Sequence, residues 1–597
     1  MPKRPINYTS RDFNSIKQDL VNYAKRYYPT TFKDFNEASF GSLMLDMVSY
    51  IGDQLSFYTD YQANESFLDT AMEYDNVVRL AKQLGYKTPG SATSTGTCTF
   101  YILVPAATSI SGPDTDFIPI LKRGSIVSGQ NGAVFTLIED VDFSSGLNEI
   151  TVARVDSDTG VPTFFAIRAY GTVVSGEQGS EEVQITDYQR FLNIPLTAPN
   201  VSEIISVRDS QGNEYFEVPH LSQDIIIKEM PNKDQNKDDT PYILKTMPAP
   251  RRFVVEYSPN GSTSLQFGYG SAENLTGDPV ADPADVVLNL SGKNYVSDTT
   301  FDPSNLIKTD KFGVVPTNTT LTVTYRANTS RTVNAAAGTV NTINQATFEY
   351  LDRASLAIST LQTVENSLEV ENDMPILGDT SAIQVDEIRT RAYSVFASQD
   401  RAVTRSDYIS VSYRMPSRFG RVKRVNVTQD PLSLKRNLNL YVLSEDINGN
   451  FTVPSSALKE NLKTWLNNYR MINDTVDILD GAIINYGIEF EVVGDVGANK
   501  YDLLQNCTQK IKDKVLNVKK EIGEPVYLTE LYKQLNSVPG VVDTVSVKLV
   551  SKTGSGYSSY RYDVDTNLSD DGRVLLIPDF AVADILNPDL DITGVVK

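Results

Sequence analysis

Residues 40–61 read FGSLMLDMVSYIGDQLSFYTDY, in which Phe40, Leu43, Met44, Leu45, Met47, Val48, Tyr50, Ile51, Leu55, Phe57, Tyr58 and Tyr61 are apolar or aromatic, twelve of twenty-two positions. At helical spacing they make two stripes: Phe40, Met44, Met47, Ile51, Leu55, Tyr58 and Leu43, Met47, Tyr50, Phe57, Tyr61. A surface helix needs only one such stripe to sit on its own core. At about 1.5 Å per residue this helix runs roughly 33 Å, and each large side chain left in water forfeits on the order of 1.5–3 kcal/mol. Cover is therefore expected on more than one side. Packing within the same subunit is the plain reading. A helical bundle shared between chains is the sharper one, because Tyr and Met suit a surface closed only on assembly.

The flanking sequence extends the helical pattern. Thr70-Ala-Met-Glu73 has the spacing of a capping box, Val77, Leu80, Ala81 and Leu84 recur at i, i+3, i+4, i+7, Gly85 suits a left-handed terminus and Pro89 prevents resumption. Upstream, Thr9-Ser10 is expected to open an amphipathic helix with Phe13, Ile16, Leu20, Ala24 and Tyr27 on one side and Pro29 after its end.

Composition shifts at SATSTGT, residues 91–97, to short β-branched and aromatic runs broken by Gly, Pro, Asn and Asp: TFYILV, AVFTLI, NEITVARV, FVVEY, TLTVTYR. The polar loop NKDQNKDDT, residues 232–240, is a candidate break within this region. Residues 331–380 read as an extended connector. Helix returns with Val385, Ile388, Ala392 and Val395 on one face, Thr404 with Asp407 caps a short helix, and strands then alternate with helices such as SALKENLKTWLNNYR. The expected fold class is α+β multidomain: an N-terminal helical unit over 1–90, a β-rich middle of sandwich or barrel type over 91–330, the connector, and a C-terminal α+β sandwich region over 381–597.

Composition narrows the function classes. The 597 residues include 40% hydrophobic and 22% charged, ordinary for folded protein. The formal charge of −21, from 54 basic and 75 acidic residues, disfavours sequence-independent nucleic-acid binding. Two cysteines, Cys98 and Cys507, are too few for a disulfide framework, a cysteine-rich zinc site or an iron–sulfur cluster. No run approaches a membrane span and the opening residues lack a signal-peptide core, so no membrane partner and folding in cytoplasm are expected.

The order of segments resembles the baseplate J-like proteins of contractile phage tails, the T-even-like wedge subunits among them. The resemblance rests on the stretch from NEASFGSLMLDMVSYIGDQLSFYTDY to YKTPG, on LQFGYG followed after an insertion by TLTVTYR, on RTVNAAAGTV, on DEIRTRAYSVFASQDRAVTRSDYISVSY, and on EIGEPVYLTELYKQLNSVPGVVDTVSV. Tyr269 departs from the Asp more usual between the glycines of that turn, and a Gly-rich lead before the NAAAG stretch is missing. The resemblance implies a structural protein of the virion baseplate with no catalytic, cofactor or metal site. Its implied partners are a second copy of itself, other wedge subunits in a three-chain helical bundle, and neighbouring wedges in a ring that widens when the sheath contracts. Carried onto this chain, Phe40, Leu43, Met47, Tyr50, Ile51, Phe57 and Tyr58 are bundle contacts, and the region after about Ala382 makes dimer and ring contacts.

Other chemistry reads as bland. His220 is the only histidine, which leaves no His-rich metal site. Asp563-Val-Asp565-Thr-Asn567 begins like a calcium loop but has Leu568 where Gly is needed and Val574 where Glu should sit, and Asp234, Asn236 and Asp238 fail in the same way at Asp239 and Lys245. Gly268-Tyr269-Gly270 reads as a turn, with Glu273 in place of a third glycine. Arg414, Arg418, Arg421, Lys423 and Arg424 form the one basic cluster, either a solvated strand edge or an electrostatic contact between copies. The alternatives to an assembly protein are a tail-associated cell-wall hydrolase, which needs a carboxylate pair, and a host-binding fibre or adhesin, which repeats would favour. No repeat is present.

Overall fold

In the computed structural model, Asp12 closes a capping box with Ser15 and opens helix α1 (Phe13–Tyr27), and the Ser39 hydroxyl caps helix α2 (Phe40–Glu65). The first helix thus begins later than Thr9-Ser10: Thr9 is held by the Asp60 carboxylate instead, its amide 3.0 Å from Oδ1. The structure describes residues 6–7, 9, 11–31, 39–107, 112–232, 242–258, 261–271, 312–330, 332–430, 437–517, 519–554 and 556–597. Asn36, Ser10, the candidate break over 233–240 and Glu273 lie outside them.

Helix α3 (Tyr74–Gln83) also differs from its expected start. Its N-cap is Glu73, and Thr70 donates instead to the Asn64 carbonyl, 2.7 Å away. The amides leading into α3 go to Glu65, at the end of the preceding helix, whose carboxylate accepts from Met72 N at 2.7 Å and more loosely from Glu73 N at 3.3 Å. A local sequence pattern lost to a tertiary one. Gly85, at φ +89°, does provide the left-handed position after the helix.

The chain forms two compact units. The first comprises Met1–Thr88, Ala382–Arg414 and Tyr469–Met471, the second Pro89–Ser381, Met415–Asn468 and Ile472–Lys597. The helices Val385–Ser398 and Arg405–Tyr413 therefore belong with the N-terminal helices, not with the C-terminal region. The reason is apolar: Ile388, Ala392 and Val395 share one core with Leu68, Ala71, Val77, Ala81 and Tyr86. Arg389 adds a clamp, donating from Nε to the Leu68 carbonyl at 2.9 Å and from its outer nitrogen to Ala71. The Thr404–Asp407 capping box forms as its spacing predicts.

The second unit carries the β-rich middle and the α+β C-terminal region, so the fold class is α+β multidomain as read. One seven-stranded sheet is built on the long pair Thr95–Pro105 and Pro162–Ser175, with Val340–Gln345 and Glu369–Glu371 at its two ends. Phe100, Ile102, Phe135 and Ile167 fill its core. A second seven-stranded sheet runs from Glu177–Ile185 through Thr319–Ala327 to Arg252–Tyr257, Thr263–Phe267 and Asn193–Pro195. In the C-terminal part the strand Ala482–Gly494 sends every second side chain, Ile484, Tyr486, Ile488, Phe490 and Val492, into the core shared with the helices Lys500–Asn517 and Leu528–Asn536, with Asn485 and Gly487 buried between them.

Residues 331–380 are not a connector. They supply two ends of the first sheet and the helix Ile358–Glu365, which buries Leu361 and Val364. The strand Val340–Gln345 buries only its first residue, so no apolar alternation marked it. Asn334 pins this stretch: its side-chain oxygen accepts from Ser94 Oγ and the amides of Gly378 and Asp379, and its nitrogen donates to the carbonyls of Asp379 and Glu445.

Candidate functional site

The long helix α2 is packed with its polar side inward. Its buried residues are Ser42, Ser49, Asn64 and Glu65. Ser42, Ser49, Ser56 and Ala63 recur every seven residues, as do Asp46, Asp53 and Asp60 on the adjoining line. A seven-residue repeat holds one side of a helix to a neighbour along its length, and here that neighbour is α1. Lys17 pairs with Asp46 at 2.6 Å, Ser56 Oγ donates to the Arg11 carbonyl at 3.1 Å, and Asn64 exchanges hydrogen bonds with the Ile6 main chain at 2.9 and 2.8 Å. Gly52 lets the helices approach: a Cβ there would stand 3.2 Å from Ile16 Cδ1.

Every large apolar side chain of α2 except the half-buried Leu45 consequently turns outward. Phe40 is 74% exposed, and Leu43, Met47, Tyr50, Ile51, Phe57 and Tyr58 lie between 53% and 61%. Met44, Val48 and Leu55 are exposed between them, so the two stripes read from the sequence merge into one broad arc. Phe57 anchors its aromatic end, edge-on to Tyr58 at 5.8 Å and stacked with Tyr61 at 6.3 Å between ring centroids. Tyr61 also donates to Glu73 at 3.1 Å, and this bond to a carboxylate raises its pKa. The sequence reading did not identify Ser42, Ser49 and Gly52 as the inner face. The even spacing of serines and aspartates was the available signal.

Glu65 closes the C-terminal end of the helix. Burial pushes its carboxyl upward, but bonds from Asn76, Met72 and Glu73 and the nearby Arg389 outweigh that and leave it below the usual range. The carboxylate from one helix thus holds the two amides that lead into the next, those of Met72 and the N-cap Glu73, together with the Asn76 side chain.

Within the second unit the basic residues of the cluster do not form a surface patch. Arg414 lies in the helical unit, paired with Asp400 and over the Tyr469 ring. Arg418, in the second unit, is exposed and stacks on Phe419 at 4.9 Å. Arg421 is half-buried beside Asp379, whose carboxyl burial pushes up to about 6 against the pull of that guanidinium. Lys423, 7% exposed, pairs with Glu445 at 2.9 Å, and Arg424, 1% exposed, donates to the carbonyls of Lys423, Lys519 and Lys520 and faces Glu521 at 3.3 Å. Lys423 and Arg424 are thus interior charges of their own unit and are not available for the expected contact between copies.

The remaining candidates fall apart or stay local. His220 sits exposed in a turn, its carbonyl taking the Gln223 amide. Asp563 is used within its own loop by Thr566 and Asp565, and among the described residues no group of three or more acidic, His or Cys side chains could hold a metal ion. At the Gly268–Gly270 turn, Gly270 N bonds Gly313 O at 2.9 Å, and a Cβ on Gly268 would lie 2.0 Å from the Phe312 carbonyl, so only glycine fits there. Cys98 and Cys507 are buried in two different cores, and burial pushes the Cys98 thiol up to about 12. An open depression of about 490 Å³ in the second unit is lined by Asp430, Asn439, Glu460, Lys463 and Asp477. Asn437 holds the Asp477 carboxylate there at 2.8 Å.

Residues 12–83, the span of α1 to α3, match the family described as bacteriophage baseplate protein, N-terminal domain. No curated protein matches the chain. Among solved structures the chain is similar to one from the anti-feeding prophage baseplate, determined by cryo-electron microscopy, at 10% identity over 98% of this chain and 100% of that one, with a TM-score of 0.26. It is also similar to a chain of the type VI secretion system TssK-TssF-TssG baseplate subcomplex, at 8% identity over 72% of this chain and 96% of that one, with a TM-score of 0.23.

Proposed function

We propose that the chain is a non-enzymatic structural subunit of a contractile phage tail baseplate, resident in the virion and assembled in the host cytoplasm. In this reading it is a wedge component that dimerises, joins other wedge subunits through a helical bundle centred on α2, and takes part in a ring around the hub that rearranges when the sheath contracts. One observation carries the reading: the residues that match a baseplate N-terminal domain are the same residues whose long helix turns its apolar arc to water.

Magnitudes support assembly over idle exposure. Covering seven large side chains gains on the order of 10–20 kcal/mol of gross apolar free energy, against about 4–15 kcal/mol for lost freedom on association. A ring that changes state further needs interfaces with two arrangements a few kcal/mol apart. No comparable observation favours a cell-wall hydrolase or a host-binding adhesin.

The test is Ile51→Asp. The substitution places a charge in the centre of the arc, and the variant chain is expected to fold with its β-rich middle intact yet fail to enter baseplate particles. Normal incorporation of Ile51→Asp would remove the reading.

A further inference from the structure

The helical unit changes character at Leu68. Among the described residues no hydrophobic side chain before it is buried. α1 buries nothing, and α2 buries only two serines, an asparagine and a glutamate. The two helices meet through side chains of α1 that are only half-buried, Ile16 beside Gly52 among them, and through the Lys17–Asp46 ion pair. The segment before α1 is held by Asp60, which accepts from the Thr9 amide, and by Ser56 and Asn64, which donate to the Arg11 and Ile6 carbonyls. Bonds of this kind, made where water competes, contribute little. Helices of this length owe most of their stability to packing of an apolar face, and the apolar face of α2 is the one turned away from α1. From Leu68 onward the situation reverses, with Val77, Ala81, Ile388 and Ala392 fully enclosed in one core.

We propose that α1 and α2 complete their folding only on assembly, while α3 and the Val385–Ser398 helix are formed beforehand and present them. The proposal rests on the reading of α2 as the docking face and adds the order of events. The free chain then displays no continuous apolar rod to wrong partners, and the ordering free energy is subtracted from binding, which makes the joint reversible until all its helices are in place.

Hydrogen exchange with mass spectrometry tests this on the full chain, free and diluted to monomer, and inside isolated baseplate particles. In the free chain, amides of α1 and α2 are expected to exchange within roughly tenfold of the unstructured rate, and those of α3 and Val385–Ser398 roughly a thousandfold slower. In particles α2 is expected to slow at least a hundredfold. Three results overturn the proposal: α2 as protected as α3 in the free monomer, α2 unprotected in both states, or protection acquired on phosphatidylcholine–phosphatidylglycerol vesicles alone. Ile51→Asp separates the two claims. If that variant is excluded from particles but free α2 is protected, docking stands and coupled folding falls. If it is incorporated normally, docking itself fails.

Discussion

Ser49 is completely enclosed, its hydroxyl turned back to the Leu45 carbonyl at 2.7 Å, while its neighbour Tyr50 stands 59% in water. Small polar residues can line a close helix–helix contact because their hydroxyls bond their own backbone, leaving no unsatisfied group behind.

Exchanging the characters of these two positions gives opposite failures. Tyr50→Ser is expected to change free-chain stability by less than about 0.5 kcal/mol, as for exposed sites, and to weaken incorporation into baseplate particles. Ser49→Leu crowds the α1 contact at a cost of about 1–3 kcal/mol, and shows as loss of α1 protection in assembled particles. Equal effects of both on incorporation and on α1 would contradict the inside-out arrangement.

Glu65→Gln removes the carboxylate that holds the Met72 and Glu73 amides and the Asn76 side chain, and is expected to cost about 1–3 kcal/mol at neutral pH, because hydrogen bonds to a charged acceptor are lost. The sign follows from its depressed folded pKa: the contribution is present above the ordinary glutamate value of about 4.3 and is lost as pH falls through the lower folded one. Thermal melts of the helical unit from pH 3 to 7 should therefore converge for wild type and variant at the acid end. Melts separated by a constant amount at every pH would rule this out.

Asp379 behaves in the opposite sense. Its carboxyl is pushed up from 3.8 to about 6, so the folded state holds the proton more tightly than the unfolded chain. The contribution of this one group is fully present below the unfolded value of 3.8 and is lost as pH rises through about 6, by at most about 3 kcal/mol. Asp379→Asn is expected to flatten urea-unfolding stability across that window. A slope unchanged in the variant would assign the pH dependence elsewhere.

The turn at Gly268–Gly270 is fastened to Phe312–Val315, with Val315 N on Gly270 O at 2.9 Å. Gly268→Ala would put a Cβ 2.0 Å from the Phe312 carbonyl and is expected to destabilise the second unit by about 3 kcal/mol or more in urea unfolding. An unfolding midpoint equal to that of the wild type would show that the fastening can shift to admit a side chain.

Elements with strong local signals were legible. The period of α2, the Thr404–Asp407 cap, the left-handed Gly85 and the alternating strand Ala482–Gly494 are where the residues place them. What escaped is what long-range partners decide. Thr70 and Glu73 have a cap's spacing, yet Thr70 bonds the Asn64 carbonyl and Glu65 takes the Met72 and Glu73 amides. The Val340–Gln345 strand is polar because it closes one end of a sheet, and the Val385–Ser398 helix joins residues three hundred positions earlier through Ile388 and Ala392. In the basic cluster, charge alone said nothing about whether Lys423 and Arg424 met water or Glu445 and Glu521.

The two thiols offer a practical dividend of the architecture. Cys98 and Cys507 lie fully shielded in separate cores, one on the Thr95–Pro105 strand and one in the Lys500–Asn517 helix. Each becomes modifiable only when its own surroundings open, so the wild-type chain carries two independent stopwatches. Alkylation rates resolved by peptide would time the breathing of the β-rich middle and of the C-terminal layer separately, with no introduced label.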